Sequence, residues 1–167
     1  LGLRRPLFEQ VSTRYLNDAS LRKMCRDIGP ITNEYQPDRV VRECISIHLK
    51  LIRALQISFG CSLFVTIGWV TLSDGQELYR QSEQTLKEML IHGQVKERLP
   101  IHVWLTMPSM EILDFSLPST LAVMEGRNRG YGDAETLHPS KLTNGRRYTP
   151  LLVGEDFLER VGAIRRD

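Results

Sequence analysis

Three side chains that could act together stand far apart in the chain: a thiol at Cys44, an imidazole at His102 and a carboxylate at Asp114. In such a set the thiolate attacks a carbonyl carbon, the imidazole carries the proton, and the carboxylate holds the imidazole in its working tautomer. The first two also have ordinary structural readings. A free cysteine is commonly an inert apolar residue, and a lone histidine in an apolar run is commonly a hydrogen-bonded core group. Asp114 resists that treatment. It lies between Leu113 and Phe115, and an unpaired buried carboxylate costs several kcal/mol.

The elements around these residues decide whether they can meet. Residues 101–107 and 110–117 read as two strands of a hairpin joined through Met107-Pro108-Ser109. A two-residue turn at Pro108-Ser109 would set His102 opposite Phe115 and send Asp114 to the other face. Such turns need a positive φ at their first central residue, whereas proline is held near about −65°. A three-residue connection, Met107-Pro108-Ser109, instead pairs Thr106 with Met110, Trp104 with Ile112, and His102 with Asp114. Trp104 shares that face, as core packing or as a substrate-facing ring.

Cys44 falls in the longest helical pattern, with Asp38 as N-cap, Arg39 to Phe59 as the body and Gly60 as the stop. One apolar line runs through Val41, Cys44, His48, Leu51 and Leu55, and a second through Ile45, Leu49 and Ile52. Only Arg42, Ser46, Lys50 and Arg53 form a polar stripe, so the helix should be largely buried. His48, one turn beyond Cys44, is a competing base, but reads better as a hydrogen-bonded core histidine. An acyl-transfer site also needs oxyanion donors. The backbone N–H of Cys44 is one candidate, with Gln36 or Asn33 from the 31–37 connector as the other.

The run ECISIHLKLIRALQISFG from Glu43, followed by CSLFVTIGWV and IHVWLTMPSMEILDFSL, resembles the transglutaminase-like superfamily of papain-like cysteine enzymes. The similarity covers roughly residues 38–117. Its carriers are a Cys-bearing helix, a strand containing a Gly-aromatic pair, a His-x-Trp strand and a Leu-Asp strand. The resemblance implies an α+β, papain-like core, with Cys44 as nucleophile, His102 as base and then acid, and Asp114 orienting the imidazole. It also implies a protein or peptide substrate. One departure concerns Cys44, which a helix starting at Asp38 would place in the second turn rather than at the start. Glu43 beside the thiol disfavours a thiolate, and the family's small residue before the Cys is missing.

The remaining chain is read around this core as one domain. Residues 6–16 are expected to form a helix with Pro6 in its first turn. Asp18 or Ser20 caps a second helix, running to about Asp27 and stopped by Gly29-Pro30. Together these make residues 1–37 an N-terminal helical region. Residues 61–72 read as a strand, with Gly68 marking a bulge or a close backbone approach. Residues 76–92 read as an amphipathic helix capped by Gly93. Residues 125–147 read as a glycine- and arginine-rich loop, either a mobile lid or a substrate-facing loop in which Arg127 and Arg129 would meet the substrate. Residues 148–153 form an edge strand because of Pro150, and 155–164 a terminal helix, completing the 148–167 segment.

Composition excludes several classes. The 167 residues are 41% hydrophobic and 25% charged, which suits a globular domain. With 22 basic against 20 acidic residues the net charge is +2, too balanced to suggest nucleic-acid binding. No apolar run approaches the roughly 18 residues of a membrane span. No secretory signal is visible, and a chain opening on Leu1 is expected to lack its native start. Cys25, Cys44 and Cys61 cannot all pair, and none lies in a CxxC; Cys25 and Cys61 read as structural. The absence of GxGxxG, P-loop and HExxH motifs leaves no metal or cofactor expected. A second reading keeps the scaffold without catalysis: an interaction module with an inert buried Cys44, in which Arg127, Arg129, Arg146 and Arg147 meet an acidic partner.

Overall fold

The computed structural model describes residues 1–35, 41, 43–93, 99–142 and 145–165. Among them the elements are α1 (Asp18–Thr32), α2 (Cys44–Phe59), β1 (Phe64–Thr71), β2 (Glu77–Leu78), α3 (Glu83–His92), β3 (His102–Thr106), β4 (Ile112–Asp114), α4 (Leu117–Met124), β5 (Glu135–Leu137), a 3-10 turn (Pro139–Lys141), β6 (Arg147–Val153) and α5 (Asp156–Arg160). The mixed α+β class expected from the sequence is observed. The chain divides into two compact units that interleave in sequence. Leu1–Leu7, Thr66–His102 and Thr143–Asp167 form one, and Phe8–Val65 and Val103–Leu142 the other.

In the second unit α1 packs on α2, burying Met24 and Ile28 from one helix and Ile47, Leu51 and Leu55 from the other. The polar stripe read for α2 is observed at Ser46, Lys50 and Arg53, all exposed, and Ile57 continues it at 72% exposure. Asn17, rather than Asp18 or Ser20, caps α1, its side chain accepting from the N–H of Ala19 and Ser20. Nor does Gly29-Pro30 stop α1, which runs on to Thr32. A proline removes the bond to the carbonyl four residues back and crowds that carbonyl with its ring. Here that is the carbonyl of exposed Arg26, so the last turn survives.

The expected helix over residues 6–16 is absent, and the segment carries no regular secondary structure. It is held instead by partners about a hundred residues away in sequence. The Val11 N–H donates to the Pro108 carbonyl at 3.0 Å, and Arg14 Nη1 donates to the Ser109 carbonyl at 2.8 Å. Buried Glu111, 3% exposed, accepts from the N–H of Tyr15 and Leu16 and from Ser109 Oγ at 2.6 Å. We expect Glu111→Ala to cost about 2–3 kcal/mol, because three donors lose a charged acceptor. Limited proteolysis should then cleave within residues 11–17, where the wild type resists.

β3, β4 and β5 form an antiparallel ladder in this unit. Their register corrects the hairpin expected from the sequence. Leu105 stands opposite Leu113 and Thr106 opposite Ile112, so Asp114 falls opposite Trp104 and not His102. The loop has three residues, as expected, but they are Pro108-Ser109-Met110. The Met107 N–H donates to the Glu111 carbonyl, and the Met110 N–H to the Met107 carbonyl. Proline suits the first central position of such a turn. At the second it would drive the preceding residue out of the helical region. The loop therefore starts at Pro108, and its third residue, Met110, takes φ 66°. The strand expected over 110–117 is correspondingly short, since Leu117 already opens α4.

In the first unit β1 pairs antiparallel with β2 and β6. The irregularity expected at Gly68 is observed. Ile67 pairs with Leu152 and Gly68 with Pro150, leaving Leu151 as the extra residue on β6, a setting that tolerates proline. The expected helix over 76–92 is split into β2 and the shorter α3, which is capped by Ser82 accepting from the Thr85 N–H. Gly93 caps its end as expected. The N-terminus is tied to α5: the backbone N–H and guanidinium of Arg4 both reach the Asp156 carboxylate and hold its pKa below the ordinary range. That helix covers only Asp156–Arg160 of the expected 155–164.

Candidate functional site

Cys44 is the first residue of α2, with Glu43 as N-cap. The expected start after Asp38 is thus corrected to Cys44; Asp38 itself lies outside the described residues. The unsatisfied amide N–H groups of a helix start favour negative charge, so the thiol stands at the end of α2 suited to an anion. It is half-buried and in no disulfide. The Glu43 carboxylate is engaged by Ser46, whose Oγ lies 3.2 Å from Oε2. Cys25 is exposed. Cys61 is a poor nucleophile, its pKa pushed up to about 11 by burial and then by the charge of Glu111.

His48 is completely buried and has work for both nitrogens. Nδ1 lies 2.6 Å from the Cys44 carbonyl oxygen and must donate to it. Nε2 then accepts from the Phe115 N–H at 3.0 Å. This fixes the neutral tautomer with the proton on Nδ1. The core role read from the sequence for His48 is therefore observed. Its content is specific: the ring clamps the first turn of α2, carrying Cys44, to the residue after β4.

Asp114, at the end of β4, is fully buried. Its Oδ1 accepts from the Ser116 N–H at 2.9 Å, the Ser116 hydroxyl at 3.1 Å and the Leu117 N–H at 3.0 Å. It also lies 3.7 Å from His48 Nε2. The apolar flanks signalled correctly that this carboxylate needs partners. What they did not show is that the chain itself supplies three of them at the start of α4, the sort of terminus that favours a carboxylate.

His102 opens β3 and is 2% exposed. The Tyr79 ring stacks on it, with centroids 5.4 Å apart and planes 19° from parallel. Tyr148 of β6 approaches at 6.4 Å and 41°. Neither tyrosine was singled out by sequence reasoning. Tyr79 was hidden because residues 76–92 read as continuous helix, although Ser82 followed by Glu83 already carried an N-terminal signal.

The remaining candidates are scattered. Trp104 is 1% exposed and belongs to the core. Asn33 is exposed and is the C-cap of α1, its N–H donating to the Gly29 carbonyl. Gln36 lies outside the described residues. Arg127 and Arg129 are exposed; Arg127 pairs with Glu125 and donates to the Arg129 carbonyl at 2.7 Å. The stretch read as a glycine- and arginine-rich loop over 125–147 contains β5 and the 3-10 turn among its described residues. Among the described residues no group of three or more His, Cys, Asp and Glu could hold a metal ion, and no helix is long and apolar enough to cross a membrane.

No family model, curated protein or solved structure matches this chain. The functional reading therefore rests on the residues alone.

Proposed function

We propose that this protein is a cysteine-dependent acyl-transfer enzyme of the transglutaminase-like kind, with Cys44 as nucleophile. The observation that carries the reading is the position of Cys44, a half-buried cysteine in no disulfide, as the first residue of the sixteen-residue helix α2. His102 takes the thiol proton as sulfur attacks an amide or thioester carbonyl. As the tetrahedral intermediate collapses, the bond to the leaving group breaks and His102 returns the proton to it. Water or an amine then attacks the Cys44 thioester, loses its proton to His102, and releases the acyl product with the thiol regenerated. Asp114 orients the imidazole. The backbone N–H of Cys44 serves the oxyanion, and a protein or peptide supplies the acyl group.

The second reading, an interaction module with an inert Cys44, is favoured by one observation: Oδ1 of Asp114 is engaged by three donors from its own chain. Iodoacetamide labelling at neutral pH separates the two. A catalytic Cys44 should react at least about tenfold faster than Cys25, since the thiolate is the reacting form. Cys61, with its raised pKa, should stay nearly unlabelled. An activity probe with an amide or thioester electrophile should be captured by the wild type and not by Cys44→Ala. Equal labelling of Cys44 and Cys25 would leave the module as the better account.

A further inference from the structure

Among the described residues only two that are not glycine have positive φ, Tyr79 at 65° and Met110 at 66°. Met110 is accounted for by its place as third residue of the hairpin loop. Tyr79 bends the chain just after β2, in no hairpin loop, and a bulky aromatic residue rarely adopts this backbone. Strain of this kind persists only where neighbouring structure over-determines it, and it collects at functional sites.

The neighbouring structure is visible on both sides of Tyr79. Leu78 pairs with Val70, and Val70 pairs on its other side with Tyr148. One line across β2, β1 and β6 thereby sets the segments that carry both tyrosines. After Tyr79, Arg80 pairs with Glu77 and its guanidinium lies over the Trp69 ring at 5.4 Å. Gln81 Nε2 donates to the Pro100 carbonyl at 2.6 Å, tying this segment to the chain two residues before His102. Between these anchors the left-handed backbone turns the Tyr79 ring flat against the His102 imidazole.

We propose that Tyr79 is a positioning residue for His102. Its ring fixes the plane of the imidazole and keeps water from one face, so that the ring nitrogens hold a single direction. Tyr148 limits tilting from a second side. The stacking stands independently of catalysis; its consequence for Cys44 rests on the acyl-transfer reading above.

The test uses Tyr79→Gly, which relieves the backbone and removes the ring, and Tyr79→Asn, which tolerates the same φ without an aromatic group. Tyr79→Phe keeps the stack. Two readouts are taken on the full chain: the His102 ring-proton resonances, assigned with His102→Gln, and the pH profile of Cys44 alkylation by iodoacetamide. In Tyr79→Gly and Tyr79→Asn the His102 resonances should move as the stacked ring current is lost. Alkylation of Cys44 should fall at least about tenfold with an altered pH profile, and Tyr79→Phe should restore both. Unchanged His102 resonances in a folded Tyr79→Gly or Tyr79→Asn would overturn the proposal. If the resonances move but alkylation is indifferent to Tyr79→Gly and to His102→Gln alike, the positioning of the ring stands and the acyl-transfer reading fails.

Discussion

His48→Leu should lower the folding free energy by about 2 kcal/mol, because it leaves a buried backbone N–H without its acceptor and removes a second hydrogen bond to the first turn of α2. The leucine fills much of the imidazole volume, so the loss is mainly one of hydrogen bonding. The Phe115 N–H loses its acceptor and the Cys44 carbonyl the side-chain donor it has from Nδ1, around a ring that is fully buried. For a chain of this size that corresponds to a drop in melting temperature of about 4–8 °C. Thermal unfolding followed by circular dichroism measures it directly. A loss below about 1 kcal/mol would mean that the ring serves only as filling. The clamp also bears on chemistry, since it fixes the carbonyl of the proposed nucleophile. His48→Leu should therefore disturb Cys44 labelling, even though His48 is not itself placed in the reaction.

The second large effect is on turnover. Asp114→Asn preserves an Oδ1 that accepts from Ser116 and Leu117, so the start of α4 should survive with a loss of about 1–2 kcal/mol from the weaker, uncharged bonds. If the carboxylate orients a catalytic imidazole, the same change should reduce turnover of the electrophilic probe by about 10³–10⁴-fold, the cost of holding the wrong tautomer in comparable triads. Asp114→Ala separates the roles from the other direction. It abandons all three donors and should destabilise the fold by about 3 kcal/mol or more. Full activity in a folded Asp114→Asn would reduce Asp114 to a helix-capping residue and remove one member of the proposed triad.

What the sequence made legible follows from how local each decision is. The exposed stripe of α2 could be read because Ser46, Lys50 and Arg53 recur at helical spacing. Gly68 announced a bulge because a glycine inside a run of β-branched and aromatic residues has few other uses. The loop length of the hairpin was legible because Pro108 excludes two-residue turns. Its placement turned on a subtler point, that proline suits the first central position and not the second. Misreadings arose where a distant partner decided the outcome. Residues 6–16 have a plausible helical pattern, yet Glu111 and the carbonyls of Pro108 and Ser109 take the backbone and side-chain donors of residues 11–16. Residues 76–92 lost their first turns to pairing with β1. For the candidate site, the demand of Asp114 for partners could be read from its apolar flanks, while Ser116 and Leu117 as those partners could not.

The three-residue turn at Pro108 has a property that concerns tolerance rather than stability. Sliding such a loop by one residue along the chain changes which residues face each other by two places, an even number. Trp104, Thr106, Ile112 and Asp114 would keep their side of the sheet in either setting, because side-chain direction alternates with period two. Inserting or deleting a single residue has the opposite effect, turning one whole strand inside out. Substitutions in this turn can therefore re-partner the hairpin without inverting it, whereas changes in its length by one cannot.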